Sequence, residues 1–365
     1  MEINIEILLT AVVVSSACAL LGVFLVLKSM AMISDAITHT ILLGIVIAFF
    51  IVHDLNSPFL IIGASITGVI TVYLIDTLNS TKLVKEDSAI GIIFPFLFSI
   101  AVILISRFAG NIHLDIDSVL LGELAFVPFN RIDVLGYSIP KGLLSTSVIL
   151  IINLCFITIF FKELKLVTFD KILAAGLGFY PVVLNYIFIT LVSVTVVGSF
   201  ETAGSVLIIA FMIGPAVTAY LLCDRLHTMI LISIFTGILS SFLGFYISMY
   251  FDVSIAGTIA AVIGIIFLLV LSFSPKKGII MNILNKRKQK IKFAVISMLI
   301  HLHNHKNRDE KEECDIKTIE NHLNWDKKFL QKIIEKVLSN KYAVIERDIL
   351  KITNKGAAYL SFLDK

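Results

Sequence analysis

Charge is scarce in this chain. Asp, Glu, Lys and Arg make up 16% of its 365 residues against 58% apolar ones, and mean hydropathy is +0.96. That balance rules out an ordinary soluble globule. Cysteine is sparse and scattered (Cys18, Cys155, Cys223, Cys314), with no pair at framework spacing, which excludes a disulfide scaffold and a zinc ribbon. There is no GxxxxGK[ST] phosphate loop, no HExxH, no GxSxG and no CxxC, so no enzyme signature is present. If ATP drives the protein, another chain must hydrolyse it. A cleavable signal is excluded as well. Glu2 and Glu6 precede the first apolar run where a basic n-region would stand, and the run is too long for an h-region.

What the chain has instead is long apolar runs, one after another from Ile5 to about Phe273. A helix rising 1.5 Å per residue needs about 20 apolar residues to cross a ~30 Å hydrocarbon core. Nine candidate spans fall near 5–27, 30–52, 58–78, 89–106, 142–161, 180–197, 202–222, 229–250 and 255–273. Pro95 and Pro215 are expected to interrupt the fourth and seventh, as kinks that a membrane protein tolerates because neighbouring helices can satisfy the freed backbone groups. The loops on one side hold Lys28, Lys82, Lys85, Lys162, Lys165, Lys171 and Arg225; those at 53–57, 198–201 and 251–254 on the other hold none, and only the long 107–141 segment there carries Arg107, Arg131 and Lys141, seven against three. Basic residues favour the cytoplasmic side, which predicts the N-terminus outside and the C-terminus in the cytosol. Net charge breaks at Ser274–Gly278: −6 before residue 275 and +9 after it. The expected fold is an all-α polytopic membrane protein of eight or nine spans over residues 1–280. A small cytosolic α+β domain over residues 281–365 follows.

Ionisable residues inside a span are costly, so they point to function. Asp35 and His39 stand at i, i+4 in the second span, on one helix face and roughly 16 Å from Lys28 at its inner end. A carboxylate and an imidazole suit a borderline divalent ion such as Mn²⁺, Zn²⁺ or Fe²⁺. Equally, such a pair can lock two helices by a hydrogen bond. Glu201, at the outer mouth of the seventh span, either draws cations into a vestibule or is simply solvated, and the acidic segment 111–123 poses the same choice. The inner loop 160–178 reads as a short helix capped by Thr168 or Asp170 and stopped by Gly176 and Gly178. It is either a surface for a motor subunit to push on or an interfacial helix.

The stretch from Phe24 to His39, with Lys28-Ser29-Met30-Ala31, then Asp35-Ala36 and His39, resembles the bacterial permeases for manganese, zinc and iron of the metal-type ABC importers. Phe161-Lys162-Glu163-Leu164 with Thr168-Phe169-Asp170, Ala174, Gly176 and Gly178 is similar to that family's ATPase-coupling loop, and Gly214-Pro215-Ala216 to a further signature. Thr38-His39-Thr40 departs from the family's usual Ser-His-Ala. The resemblance implies that Asp35 and His39 line the metal path. It also implies a homodimer or a pair with a second permease chain, two cytosolic ABC ATPases on the coupling loops and an extracytoplasmic metal-binding protein that delivers the ion. No permanent cofactor is implied. The metal is cargo, ATP belongs to the cytosolic partner subunit, and this chain is expected in the bacterial inner membrane.

The tail reads as helices at 291–302, 315–323 and 327–338, the last capped by Asp326, then two short strands within 342–352 and a final helix. That order resembles the winged helix of bacterial metal-dependent repressors. Lys327, Lys328, Lys332 and Lys336 could contact DNA or anionic lipid, or simply be solvated. His301 and His305 share a helix face, and Cys314 or His322 could complete a metal site with them. A frayed polar helix end explains the same histidines. The function expected is the permease subunit of an ATP-driven importer for a divalent transition metal. The alternatives are a membrane-tethered sensor or transcription regulator, and a cation-coupled secondary carrier.

Overall fold

Each long apolar run folds into a helix, because in hydrocarbon every backbone N–H and C=O must find its partner within the segment. The computed structural model describes residues 3–54, 57, 59–108, 124–134, 137–275, 277–305, 313–316 and 319–363, so the acidic segment 111–123 lies outside the described residues. Two compact units divide the chain, Met1–Lys277 and Gly278–Lys365. The first contains α1 (Ile3–Leu27), α2 (Ala31–Val52), α3 (Phe59–Ser80), α4 (Glu86–Phe108), α5 (Lys141–Ile159), α6 (Phe161–Phe169), α7 (Lys171–Gly176), α8 (Pro181–Leu222), α9 (Leu226–Phe251) and α10 (Ile255–Phe273). Between α4 and α5 a 3-10 turn (Leu124–Phe129) leads into an antiparallel hairpin of β1 (Arg131–Val134) and β2 (Tyr137–Pro140). This hairpin was not expected from the sequence.

Among the described residues, eight helices are long and apolar enough to cross a membrane. One of them, α8, is 42 residues long and contains Gly204 at φ 74, ψ 163, a conformation closed to residues with a Cβ. Contacts at its two ends and its middle show what this break does. Asn185 takes a hydrogen bond from Lys28, at the C-terminal end of α1, whereas Glu201 meets Asn130 beside the hairpin that binds Glu6 near the N-terminal end of α1. Leu221 then takes a hydrogen bond from Ser274 at the C-terminal end of α10. The opposite end of α10, at Ser254–Ala256, lines a cleft with Leu124 and Ala125 on the hairpin side. Thus α8 crosses the helical body, reverses at Gly204 and crosses back. Its halves hold roughly 23 and 18 residues, or ~34 and ~27 Å, each enough for one crossing. With both halves of α8 counted, the described residues hold nine helical segments of about crossing length.

The two prolines are tolerated within their helices, as membrane helices allow. Pro95 and Pro215 both lie inside continuous helices. Ser99 and Thr218 donate to the carbonyls of Pro95 and Gly214, so hydroxyls near each proline bond to its helix backbone.

Helices pack through small residues. An added Cβ on Gly44 (α2) would lie 2.5 Å from the Gly63 carbonyl oxygen of α3, and one on Gly63 would lie 2.9 Å from the Gly44 carbonyl oxygen. The two backbones touch there without side chains between them, as close helix approach in membranes requires. Ser193 of α8 donates to the Ser65 carbonyl of α3 at 3.0 Å. The central core runs along α1 and α8, with Leu21, Phe24, Ile37, Phe188, Val192, Leu207 and Phe211 buried.

The second unit contains α11 (Ile279–Asn304), α12 (Ile319–Leu323), α13 (Lys327–Ser339), the antiparallel strands β3 (Ala343–Glu346) and β4 (Ile349–Ile352), and α14 (Asn354–Leu363). Its own core joins Met298, Leu299 and Leu302 to Cys314, Ile319, Leu330, Ile333, Val337 and Leu350. Two details differ from expectation. The helix foreseen from Asp315 begins at Ile319, because Asp315 is drawn into a bridge with Ile349 of β4. Asp326 stands at the N-cap of α13 without a side-chain capping bond.

Candidate functional site

Asp35 and His39 lie one turn apart on α2, and their side chains meet: His39 Nε2 is 3.5 Å from Asp35 Oδ1. The buried face of α2 (Ile33, Ala36, Ile37, Thr40, Ile41) turns into the core, which leaves Asp35 and His39 half-exposed beside the exposed Met32. The His39 ring rests against Phe94 and Phe98 of α4, with centroids 5.3 and 6.3 Å away. These rings limit where the imidazole can turn while its polar edge stays beside the carboxylate. The spacing is long for a hydrogen bond and the pair is open on one side, so an ion of suitable size could take a ligand from each. About a third of each side chain is open in the chain by itself.

On the face of the body that holds Lys28, α6 and α7 form a knuckle. Asp170 leaves α6 in an extended conformation (φ −147, ψ 94) and caps α7, its Oδ1 accepting from the Leu173 N–H at 2.9 Å. Thr168 does not cap; its hydroxyl donates back to the Leu164 carbonyl within α6. Beyond Gly176, Gly178 takes φ +87, and the Gly178 and Phe179 N–H groups return to the Ala175 and Ala174 carbonyls. Ala174 is buried and anchors the short helix, while Phe169, Ile172, Leu177 and Tyr180 stand out, Ile172 at 88% exposure. So many exposed apolar side chains on so short a segment make a surface suited to a partner's groove.

Lys28 closes this face from the other side. Its ammonium donates to Asn185 at 2.8 Å and lies 4.6 Å from the Phe188 ring centre. Burial, aided by the charge of Lys171, pushes its pKa down to about 8. Nearby, His227 at the start of α9 stacks on Phe161 of α6, ring centres 4.2 Å apart.

The opposite face is pinned by a pair that sequence reasoning missed. Arg131 reaches Glu6 with both terminal nitrogens, at 2.9 and 3.2 Å, and also donates to the Ser138 carbonyl and hydroxyl. The Glu6 side chain is only 3% exposed. The arginine thereby ties the hairpin to the first turns of α1. Glu201 is exposed on the same face, 3.5 Å from Asn130, and its carboxylate remains open to solvent.

In the second unit, Lys327, Lys328, Lys332 and Lys336 are all exposed along α13, away from the buried Leu330, Ile333 and Val337. His301 and His305, at the end of α11, have ring centres 4.8 Å apart, and Glu313 joins them in a group whose ligand atoms lie within 4.8 Å of one another. Cys314, a sequence candidate for that group, is buried in the core instead.

Residues 1–274 match the ABC 3 transport family over their whole length. The chain belongs to that family. It is a multi-pass membrane permease subunit of an ABC importer, with ATP hydrolysis on a separate chain. Among its relatives is the zinc transport system membrane protein TroD of Treponema pallidum, 39% identical over 358 residues and covering 97% of both chains. The manganese transport system membrane protein MntD of Bacillus subtilis is 41% identical, covering 80% of this chain and 99% of its own. Of solved structures, PsaBC from Streptococcus pneumoniae in complex with Fab superposes with a TM-score of 0.63 at 28% identity, over 76% of this chain and 94% of that one. The family match stops where the second unit begins. MntD is matched almost whole with a fifth of this chain left over, whereas the TroD match spans nearly all of it.

Proposed function

We propose that the chain passes a divalent first-row transition ion (manganese, zinc or iron) across the bacterial inner membrane, with Asp35 and His39 as its ligands in the pathway. The observation that carries this reading is the half-exposed carboxylate–imidazole pair on α2, 3.5 Å apart, in a family member whose relatives are named for zinc and manganese transport. A pathway site must release what it takes. Two ligands from one chain bind weakly, and a second copy or a second permease chain would bring a comparable pair, consistent with the resemblance to PsaBC.

In this reading the N-terminus and the Glu6–Arg131 face are extracytoplasmic. A metal-binding protein delivers the ion there, with Glu201 drawing cations toward the mouth. The α6–α7 knuckle faces the cytosol and seats the ATPase, whose groove would take Phe169, Ile172 and Leu177. The basic loops at Lys82, Lys162, Lys165 and Arg225 support this orientation. We read the second unit as a cytosolic winged-helix module. Support comes from its order of three helices and a hairpin, with the Asp315–Ile349 bridge adding a short third strand. Reconstitution with the cognate ATPase and binding protein tests the whole reading: ATP-dependent uptake of radioactive Mn²⁺, Zn²⁺ or Fe²⁺ is expected. Uptake of none of the three by an assembled, ATP-hydrolysing complex would sink it.

A further inference from the structure

We propose that His301, His305 and Glu313 form a binding site for a divalent first-row transition ion within the C-terminal unit, with His322 holding the Glu313 carboxylate in place. The site uses none of the residues assigned to the transport path.

Three separate segments converge on it. His301 lies in the last turn of α11 and His305 is its C-cap residue, so the i, i+4 spacing sets both rings on one side of the helix. Glu313 leads into Cys314, whose carbonyl accepts from the Leu350 N–H of β4 at 2.9 Å, while Ile316 donates to the Asp348 carbonyl. These bonds fix the position of the segment. His322 belongs to α12, and its Nδ1 lies 3.0 Å from Glu313 Oε2. Beneath the polar group, Leu302, Cys314 and Ile319 are almost wholly buried, so each ligand stands on an ordered support.

The chemistry fits a metal better than a chance meeting of polar groups. One ligand atom from each of His301, His305 and Glu313 lies within 4.8 Å of the others, close enough for small side-chain rotations to bring all three onto one ion. His301 also carries an outer partner: its Nε2 is 3.0 Å from the Glu313 carbonyl oxygen. A neutral imidazole donating there keeps its lone pair on Nδ1. His322 donating from Nδ1 to the carboxylate holds Glu313 as the orienting partners of metal ligands do. Two imidazoles and a carboxylate with an open fourth position select a borderline ion such as Zn²⁺, Fe²⁺ or Co²⁺ over Mg²⁺ or Ca²⁺. Binding would join the end of α11, the strand-like segment at Cys314–Ile316 and α12.

The full-length protein in detergent, carrying Asp35→Asn and His39→Gln and purified without a histidine tag, isolates this site from the pathway. Titration with Co²⁺ is expected to give a visible ligand-field absorption that saturates at one ion per chain and is abolished by Zn²⁺. Adding His301→Gln with His305→Gln should remove it, and Glu313→Gln should weaken binding at least ~10-fold. His322→Gln should weaken it less and leave the spectrum in place. His303→Gln, whose exposed ring lies outside the group, is the control that keeps its binding. Absence of saturable Co²⁺ binding, or binding unchanged when both His301 and His305 are replaced, overturns the proposal. The readout involves no transport, so it stands or falls apart from the proposed cargo.

Discussion

Glu6 and Arg131 stand 2.9 Å apart with the carboxylate almost closed to solvent, whereas Asp35 and His39 stand 3.5 Å apart with about a third of each side chain open. Both pairs belong to the same helical body. The first is bidentate, and its arginine is further tied to Ser138 and Pro128 within its own hairpin, so the guanidinium that holds the hairpin on α1 is itself fixed in place. The second is loose, edged by two phenylalanine rings and free to open. A charge in a membrane protein is retained either because it is satisfied or because it is used. The number of bonds each group already makes separates the two cases.

The largest test of that contrast is at the loose pair. Asp35→Asn or His39→Gln should lower metal uptake more than ~10-fold, the scale by which even outer-shell changes disturb metal sites. Thermal stability in detergent should move little, because neither side chain is buried. Wild-type uptake by either variant would make the pair structural.

At the tight pair the pattern should reverse. Arg131→Met leaves a buried carboxylate unpaired and should cost about 3 kcal/mol, the low end of the usual range because the guanidinium keeps an edge in solvent. Glu6→Gln combined with Arg131→Met should restore much of the loss, and uptake per folded molecule should be unchanged in both. Equal melting temperatures for the single and double variants would contradict this account.

Next is the knuckle. Asp170→Ala removes the cap of α7 and should destabilise that turn by ~1 kcal/mol. A short helix has little else to hold it, so ATPase recruitment in pull-downs should fall while the fold persists. Asp170→Asn keeps an accepting oxygen and should retain the partner.

The last effect, confined to alkaline conditions, is a pH dependence at Lys28. Its pKa lies at about 8 in the folded chain against 10.5 for an unperturbed lysine, so the unfolded state binds more protons between those values. Lys28 should therefore make stability rise as pH climbs from 8 to 10.5, and its penalty is complete below pH 8. In Lys28→Met that part of the rise should vanish, as read from melting curves across the window.

How far the sequence reaches is clear from these same residues. The i, i+4 spacing of Asp35 and His39 is a local property of a helix, so their meeting could be foreseen from the chain alone. The cap at Asp170 and the stop at Gly178 are local too. Glu6 and Arg131 are 125 residues apart, and nothing along the chain says that they pair. The reversal in α8 was expected as a gap between spans near 198–201, with prolines as the irregular points. The break falls instead on Gly204, because positive φ needs glycine, whereas a proline ring already holds the φ of a helix. Glu313 was hidden for another reason. Its link to His301 depends on a segment drawn against β4, a tertiary contact with no sequence period.

The reciprocal contact of Gly44 and Gly63 bears on how the importer could work. Carbonyls of α2 and α3 pack directly on the glycine of the other helix, so the two backbones meet closely, and Ser193 fastens α3 to α8 in turn. The three act as one stiff plate carrying Asp35 and His39 on its edge. Any change that turns this site from one side of the membrane to the other must then swing the plate as a whole. In that picture the flexing takes place at its margins, in connections such as Lys28–Met30, and not within the helices that carry Asp35 and His39.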